Sequence, residues 1–156
     1  MSHHEAWPQG RRKYPAAGVH LQPDRPNIVF LTVTTERPKA WLANETAHQL
    51  LRQVWLEVTA WLIGDYLLMP DHLHCFCAPH DPTYTIEQWI TFWKREYRRQ
   101  HGRHDWRFQS RGWHHRLRDG ESYVQKWNYV QLNPVRRGLV KRPEEWPYQG
   151  RVHVIG

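Results

Sequence analysis

The run from Leu62 to Ala78 constrains the fold more than any other stretch. Leu62 to Met69 is almost continuously apolar and reads as a buried strand. Pro70-Asp71 turns the chain, and His72-Leu73-His74-Cys75-Phe76-Cys77-Ala78 reads as its antiparallel partner. Side chains alternate along a strand, so His72 and His74 share one face while Leu73, Cys75 and Cys77 share the other. Two imidazoles side by side on a strand are half of a metal site. Taken alone, however, a His-x-His pair is more often packing than ligation.

The flanking chain supplies what such a hairpin packs against. Ile28 to Thr34 is rich in β-branched and aromatic residues, which predicts another buried strand, ended by Pro38. Asn44 is a candidate N-cap for a helix whose apolar positions are Ala47, Leu50, Leu51, Val54, Trp55, Val58 and Trp61. Thr85-Ile86-Glu87-Gln88 has the form of a capping box. It opens a second helix with Ile86, Trp89, Ile90, Trp93 and Tyr97 on its apolar face. A strand is predicted over 113–118, and a third helix from about Asp119 or Gly120 to Leu132. Pro134 should stop that helix, because it disfavours helical geometry at Asn133. The order β-α-β-β-α-β-α gives an α+β, ferredoxin-like or RRM-like plan: a central antiparallel sheet with helices packed on it. One domain is expected over 26–150, with an N-terminal tail over 1–25 and a C-terminal tail over 151–156.

Composition narrows the class. The chain has 156 residues, 40% of them hydrophobic and ten of them tryptophan, enough for a real core. The net charge of +7 points to a polyanionic partner. Residues 1–83 carry seven Lys/Arg against eight Asp/Glu, and residues 84–156 carry fifteen against seven, so the basic surface belongs to the second half. Cys75 and Cys77, the only cysteines, sit poorly for bridging each other and read as small buried hydrophobes in a reduced compartment. No segment has the length of a membrane span, and MSHHEAWPQGRRK lacks a signal-peptide core. A cytoplasmic protein is expected.

On a wheel of 100° per residue, Tyr123, Val124, Trp127 and Val130 form one stripe that should face the sheet. Tyr129 falls roughly 120° from the middle of that stripe. Asn133 lies one turn further on the same flank, and Lys126 stands beside them. A phenol next to a metal and cations can attack a phosphodiester, the metal polarising the phosphoryl oxygens. Two histidines underfill a divalent site, and Asn133 offers a third ligand. An off-stripe tyrosine, an Asn-Pro terminator and a basic helix each have an ordinary structural reading; their conjunction is what weighs against it.

Met69-Pro70-Asp71-His72-Leu73-His74, followed by Tyr129-Val130-Gln131-Leu132-Asn133-Pro134-Val135-Arg136-Arg137-Gly138-Leu139-Val140, resembles the single-tyrosine HUH transposases. The nearest branch is the REP-associated tyrosine transposases, also called IS200-like, and the resemblance runs from about Ile28 to Tyr148. It implies that His72 and His74 are metal ligands, Asn133 the third ligand and Tyr129 the nucleophile. The implied reaction nicks single-stranded DNA through a 5′-phosphotyrosine link and then transfers the strand, with Mg²⁺ or Mn²⁺ as cofactor. Single-stranded hairpin DNA from palindromic repeats is the implied substrate, bound by a monomer or a homodimer associated with a bacterial nucleoid.

Lys94, Arg95, Arg98, Arg99, Lys126, Arg136 and Arg137 are the candidate DNA-binding residues, and exposed tryptophans are available for stacking. One departure from the family pattern is Trp113-His114-His115, where an acidic residue is expected. The triplet is open to three readings: DNA contacts, neighbours of the metal site, or neutral drift. A catalytically inactive, domesticated hairpin-binding protein is the main alternative. A His-x-His hydrolase without a nucleic-acid role fits the basic second half less well.

Overall fold

In the computed structural model, which describes residues 27–117 and 123–155, the elements run β1 (Val29–Thr34), α1 (Glu45–Glu57), β2 (Trp61–Leu68), β3 (His72–Pro79), α2 (Ile86–His101), β4 (Trp113–Arg116), α3 (Tyr123–Gln131), α4 (Asn133–Arg136) and β5 (Gln149–Arg151). The expected tail over 1–25 and the start of the third helix lie outside the described residues. The strands form one five-stranded sheet in the order β4-β1-β3-β2-β5, antiparallel throughout. The α+β plan of a central antiparallel sheet with helices on it is therefore observed.

Local signals account for most of these elements. Asn44 accepts the Ala47 N–H at 2.8 Å and so begins α1. Thr85 and Gln88 close a reciprocal capping box: the Gln88 N–H donates to Thr85 Oγ1 at 3.1 Å and the Thr85 N–H to Gln88 Oε1 at 2.9 Å. Gly102 ends α2 with φ of 66°, a left-handed conformation that glycine adopts without steric cost.

Strand alternation sorts the core into two layers. Leu31, Val33, Leu73, Cys75 and Cys77 point to one face, covered by the apolar stripes of α1 and α2. Phe30, Leu62, Leu67 and Phe76 point to the other, covered by Tyr123, Trp127 and Val130 of α3 and by Trp146. Val124, expected in the same stripe, is 63% exposed. The spacing of Tyr123, Trp127 and Val130 already fills the contact line, and Val124 falls off its edge.

Trp61, expected on the first helix, instead opens β2, because α1 ends at Glu57 with Val58 as its cap. Two further expectations need correction. The first is the C-terminal tail over 151–156, since the pairing of β5 runs through Arg151. Gln149–Arg151 pairs with β2 as a fifth strand. Beyond it the Val152 and His153 N–H groups reach Gly64 O and Ile63 O at 3.1 and 2.8 Å, and Ile155 is buried. Three residues centred on a glycine carry no period-two signal, so backbone pairing alone makes this strand. Gly64, at a bulge in β2, lets it seat: a Cβ there would lie 2.8 Å from Ile155 Cδ1.

The second correction concerns Pro134. It does break the helix, but Asn133 does not leave helical geometry; it opens α4 with the proline in the first turn. A missing N–H is harmless at that position and the fixed φ suits it. Among the described residues no helix is long and apolar enough to cross a membrane.

Candidate functional site

His72 and His74 project from β3 with ring centroids 4.9 Å apart and planes at 80°. Each Nδ1 is engaged. His72 Nδ1 donates to Asp71 Oδ1 at 2.8 Å, and His74 Nδ1 shares a hydrogen bond with Thr32 Oγ1 at 2.9 Å. Thr32 reaches it because β1 and β3 pair in the register Thr32↔His74. The Phe30 ring stacks on His74 at 5.3 Å and 18°. Burial pushes the His74 pKa down to about 3, helped by the positive potentials of His72, Lys126 and Arg136. His74 is therefore a neutral imidazole in a cationic setting.

The cations come from α3 and α4. Lys126 Nζ lies 4.7 Å from the centre of the Phe30 ring, which places it over the residue that backs His74. Arg137 Nη1 stands 3.9 Å from Asp71 Oδ1 and so ties the end of α4 to the loop before β3. The Arg136 guanidinium stacks on the Tyr129 ring with Cζ 4.2 Å from its centre. The same guanidinium donates to Tyr129 O at 3.2 Å and to Asn133 Oδ1. Tyr129, Asn133 and Arg136 thus form one unit, although the helix breaks between the first two.

The two tyrosines of α3 differ sharply. Tyr123 stacks on Phe76 at 4.0 Å, donates its hydroxyl to Asp65 Oδ2 at 2.7 Å and accepts the Asp65 N–H at 3.1 Å. Burial raises its pKa well above the usual phenol value. Arg151 Nε adds a second partner for Asp65 at 3.2 Å, so the buried carboxylate is fully engaged. Tyr129 is 63% exposed. Only the second phenol is presented to an incoming group.

The donor set fits part of a divalent site. With both Nδ1 atoms held, one by a carboxylate and one by a hydroxyl, each histidine keeps Nε2 for a metal, the arrangement by which hydrogen bonds to the far ring nitrogen orient ligating imidazoles. Among the described residues no third His, Cys, Asp or Glu completes a cluster with them. Amide, phosphate and water oxygens are chemically suited to the remaining positions of such a site. The amide oxygen of Asn133 is bonded to Arg136 here.

The α2 cations lie apart from this group. The buried stripe of α2 packs on the face of Leu31 and Cys75, opposite to Phe30 and Phe76. Lys94 is not a free cation: its Nζ donates to Gln109 O at 2.8 Å, and burial pulls its pKa down to about 8. Arg99 is paired with Glu96 at 2.8 Å, and Arg95 stacks on Phe92 at 5.2 Å. Arg95 and Arg98 line a groove of about 450 Å³ with His101 and Arg107. Of the candidates, His72, His74, Lys126, Tyr129, Asn133, Arg136 and Arg137 belong to one side of the sheet, and Lys94, Arg95, Arg98 and Arg99 to the other. Sequence reasoning passed over Phe30, Thr32 and Asp71; only Asp71, next to the histidines, was within reach of a local signal.

No family model matches the sequence. Over 124 residues the chain is 27% identical to the REP-associated tyrosine transposase of Escherichia coli strain K12, covering 76% of this chain and 73% of that protein. A solved structure of a REP-associated tyrosine transposase bound to a REP hairpin matches with a TM-score of 0.67 and 25% identity. That match covers 91% of this chain and 81% of the other.

Proposed function

We propose, from its similarity to the REP-associated tyrosine transposases, that the chain nicks and transfers single-stranded DNA at hairpin-forming, palindromic sequences. One observation carries the reading. The guanidinium of Arg136, stacked on the exposed Tyr129, is also one of the charges acting on His74. The exposed phenol and His74 thus share one cation, which supports assigning them to a single site.

In this reading the Tyr129 oxygen attacks the scissile phosphorus and loses its proton to solvent. The P–O3′ bond breaks, the leaving oxygen takes up a proton as a free 3′-OH, and the phosphate stays on Tyr129 as a 5′-phosphotyrosine. Rejoining reverses the polarity: a 3′-OH attacks that phosphorus and the phenol leaves. Lys126 and Arg136 neutralise the non-bridging oxygens as charge builds on them. Asp71 orients His72, and Thr32 orients His74. Mg²⁺ or Mn²⁺, held by His72, His74 and Asn133, would supply Lewis-acid polarisation of the phosphate. Chromosomal DNA as substrate implies a cytoplasmic, nucleoid-associated protein.

The test is covalent capture. Wild-type protein is incubated with Mg²⁺ or Mn²⁺ and single-stranded hairpin DNA taken from beside its own gene. A protein–DNA adduct that disappears in Tyr129→Phe supports the enzyme. A second reading, hairpin binding without cleavage, is favoured by the bond from Arg136 to the Asn133 amide oxygen, which gives the proposed third ligand a competing partner. Tight binding with no adduct on any such substrate supports it.

A further inference from the structure

Trp113, of the triplet with three open readings, is 57% exposed, and among the described residues it is the only tryptophan with most of its surface open to solvent. Its place is set by register. Trp113 pairs with Thr32, and Thr32 pairs with His74, so the three lie in one cross-strand row on one face of the sheet. Two strand spacings separate Trp113 from His74, about 10 Å. The indole is propped rather than loose: it meets Phe30 edge-on at 6.4 Å and His115 at 4.7 Å. His114 points through to the other face, where its Nε2 meets Glu87 Oε2 at 3.0 Å.

We propose that Trp113 is a nucleobase-stacking residue, holding one unpaired base about one or two nucleotides from the phosphate that Tyr129 attacks. The proposal rests on the DNA-nicking reading above and adds to it a site that fixes the strand. The chemistry suits a base better than a peptide. A large fixed π surface accepts any base on its open face. Lys126, over the same Phe30 ring that Trp113 packs against, matches a phosphate beside that base, and Arg136, stacked on Tyr129, matches one nearer the nucleophile. β4 is also an edge strand, so a single strand can enter over it without crossing another β-strand. Stacking here would fix which phosphate reaches Tyr129, making Trp113 a positioning contact rather than a participant in bond making.

An abasic scan coupled to substitution tests it. The gene-flanking hairpin with its single-stranded extension is made with one base at a time removed. Each version is titrated against wild type, Trp113→Phe and Trp113→Ala. Trp113→Leu, which keeps apolar cover over Phe30 and His115 but has no π face, guards against loss through misfolding. Expected is a loss of about 5- to 100-fold in affinity for the Ala and Leu variants, with Phe close to wild type. One abasic position should weaken wild type by a similar factor and leave the Ala and Leu variants unmoved. Equal losses at every position in wild type and Trp113→Leu, in a wild type that still forms the Tyr129 adduct, overturn this proposal alone. A wild type that binds no single strand overturns it together with the nicking reading.

Discussion

Tyr123 and Tyr129 are six positions apart on the same short helix, yet their surroundings assign them opposite work. Replacing Tyr123 with Phe leaves the buried Asp65 carboxylate and its N–H without the phenol that serves both. A loss of about 1–3 kcal/mol in urea denaturation is expected, the cost of stranding buried polar groups. Tyr129→Phe removes a hydroxyl from a largely exposed ring and should change stability by less than about 0.5 kcal/mol. Lys94 makes a second residue-scale case. Its folded pKa of about 8 lies below the ordinary lysine value of 10.5, so between those pH values the unfolded state binds more protons than the folded one. Stability from this group should rise across about pH 8 to 10.5, and the rise should be missing in Lys94→Met when urea midpoints of the two are compared over that range. Helical spacing marks Lys94 as off the apolar stripe, but the loop carbonyl of Gln109 that captures it comes from a distant turn and leaves no trace in local sequence.

Elements governed by near neighbours were legible, and those governed by partners across the fold were not. The Asn44 cap and the Thr85–Gln88 box depend on residues three apart, and both occur as the sequence indicates. β5 depends on β2, and nothing in Gln149-Gly150-Arg151 marks a strand without it. The cost of disturbing this strand is therefore testable at Gly150. A Cβ there would lie 2.9 Å from the Tyr66 hydroxyl and 3.1 Å from Arg52 Nη1, two groups bonded to each other beside His48. Gly150→Ala should cost about 1–3 kcal/mol through overpacking, read as a lowered urea midpoint. Pro134 illustrates a different limit. Its effect on the preceding residue is a bias in backbone geometry, and the new turn of α4 overrides it.

At the scale of the molecule, the sheet divides the chain's cations between two faces. Amphipathic spacing identifies which side of a helix is exposed but not which face of the sheet that helix covers. Spacing alone therefore merges α2 with α3 and α4 into one basic surface, whereas the core layers separate them. Phosphates near Tyr129 should feel the α3–α4 side more. Lys126→Ala and Arg137→Ala are each expected to lower the slope of log affinity against log salt for single-stranded DNA by about 0.7. Fluorescence anisotropy across a salt series reads this directly, and a slope unchanged in both variants would argue that the strand runs elsewhere. The central claim is that the exposed phenol of Tyr129, on the same side of the sheet as the His72–His74 pair, forms the covalent link to DNA. Its most direct measurement is peptide mapping by mass spectrometry of the protein–DNA adduct formed with Mg²⁺ or Mn²⁺ on gene-flanking hairpin DNA. The account expects the phosphonucleotide on Tyr129, with the adduct retained in Tyr123→Phe and lost in Tyr129→Phe. An adduct mapped to another residue, or one that survives Tyr129→Phe, contradicts it.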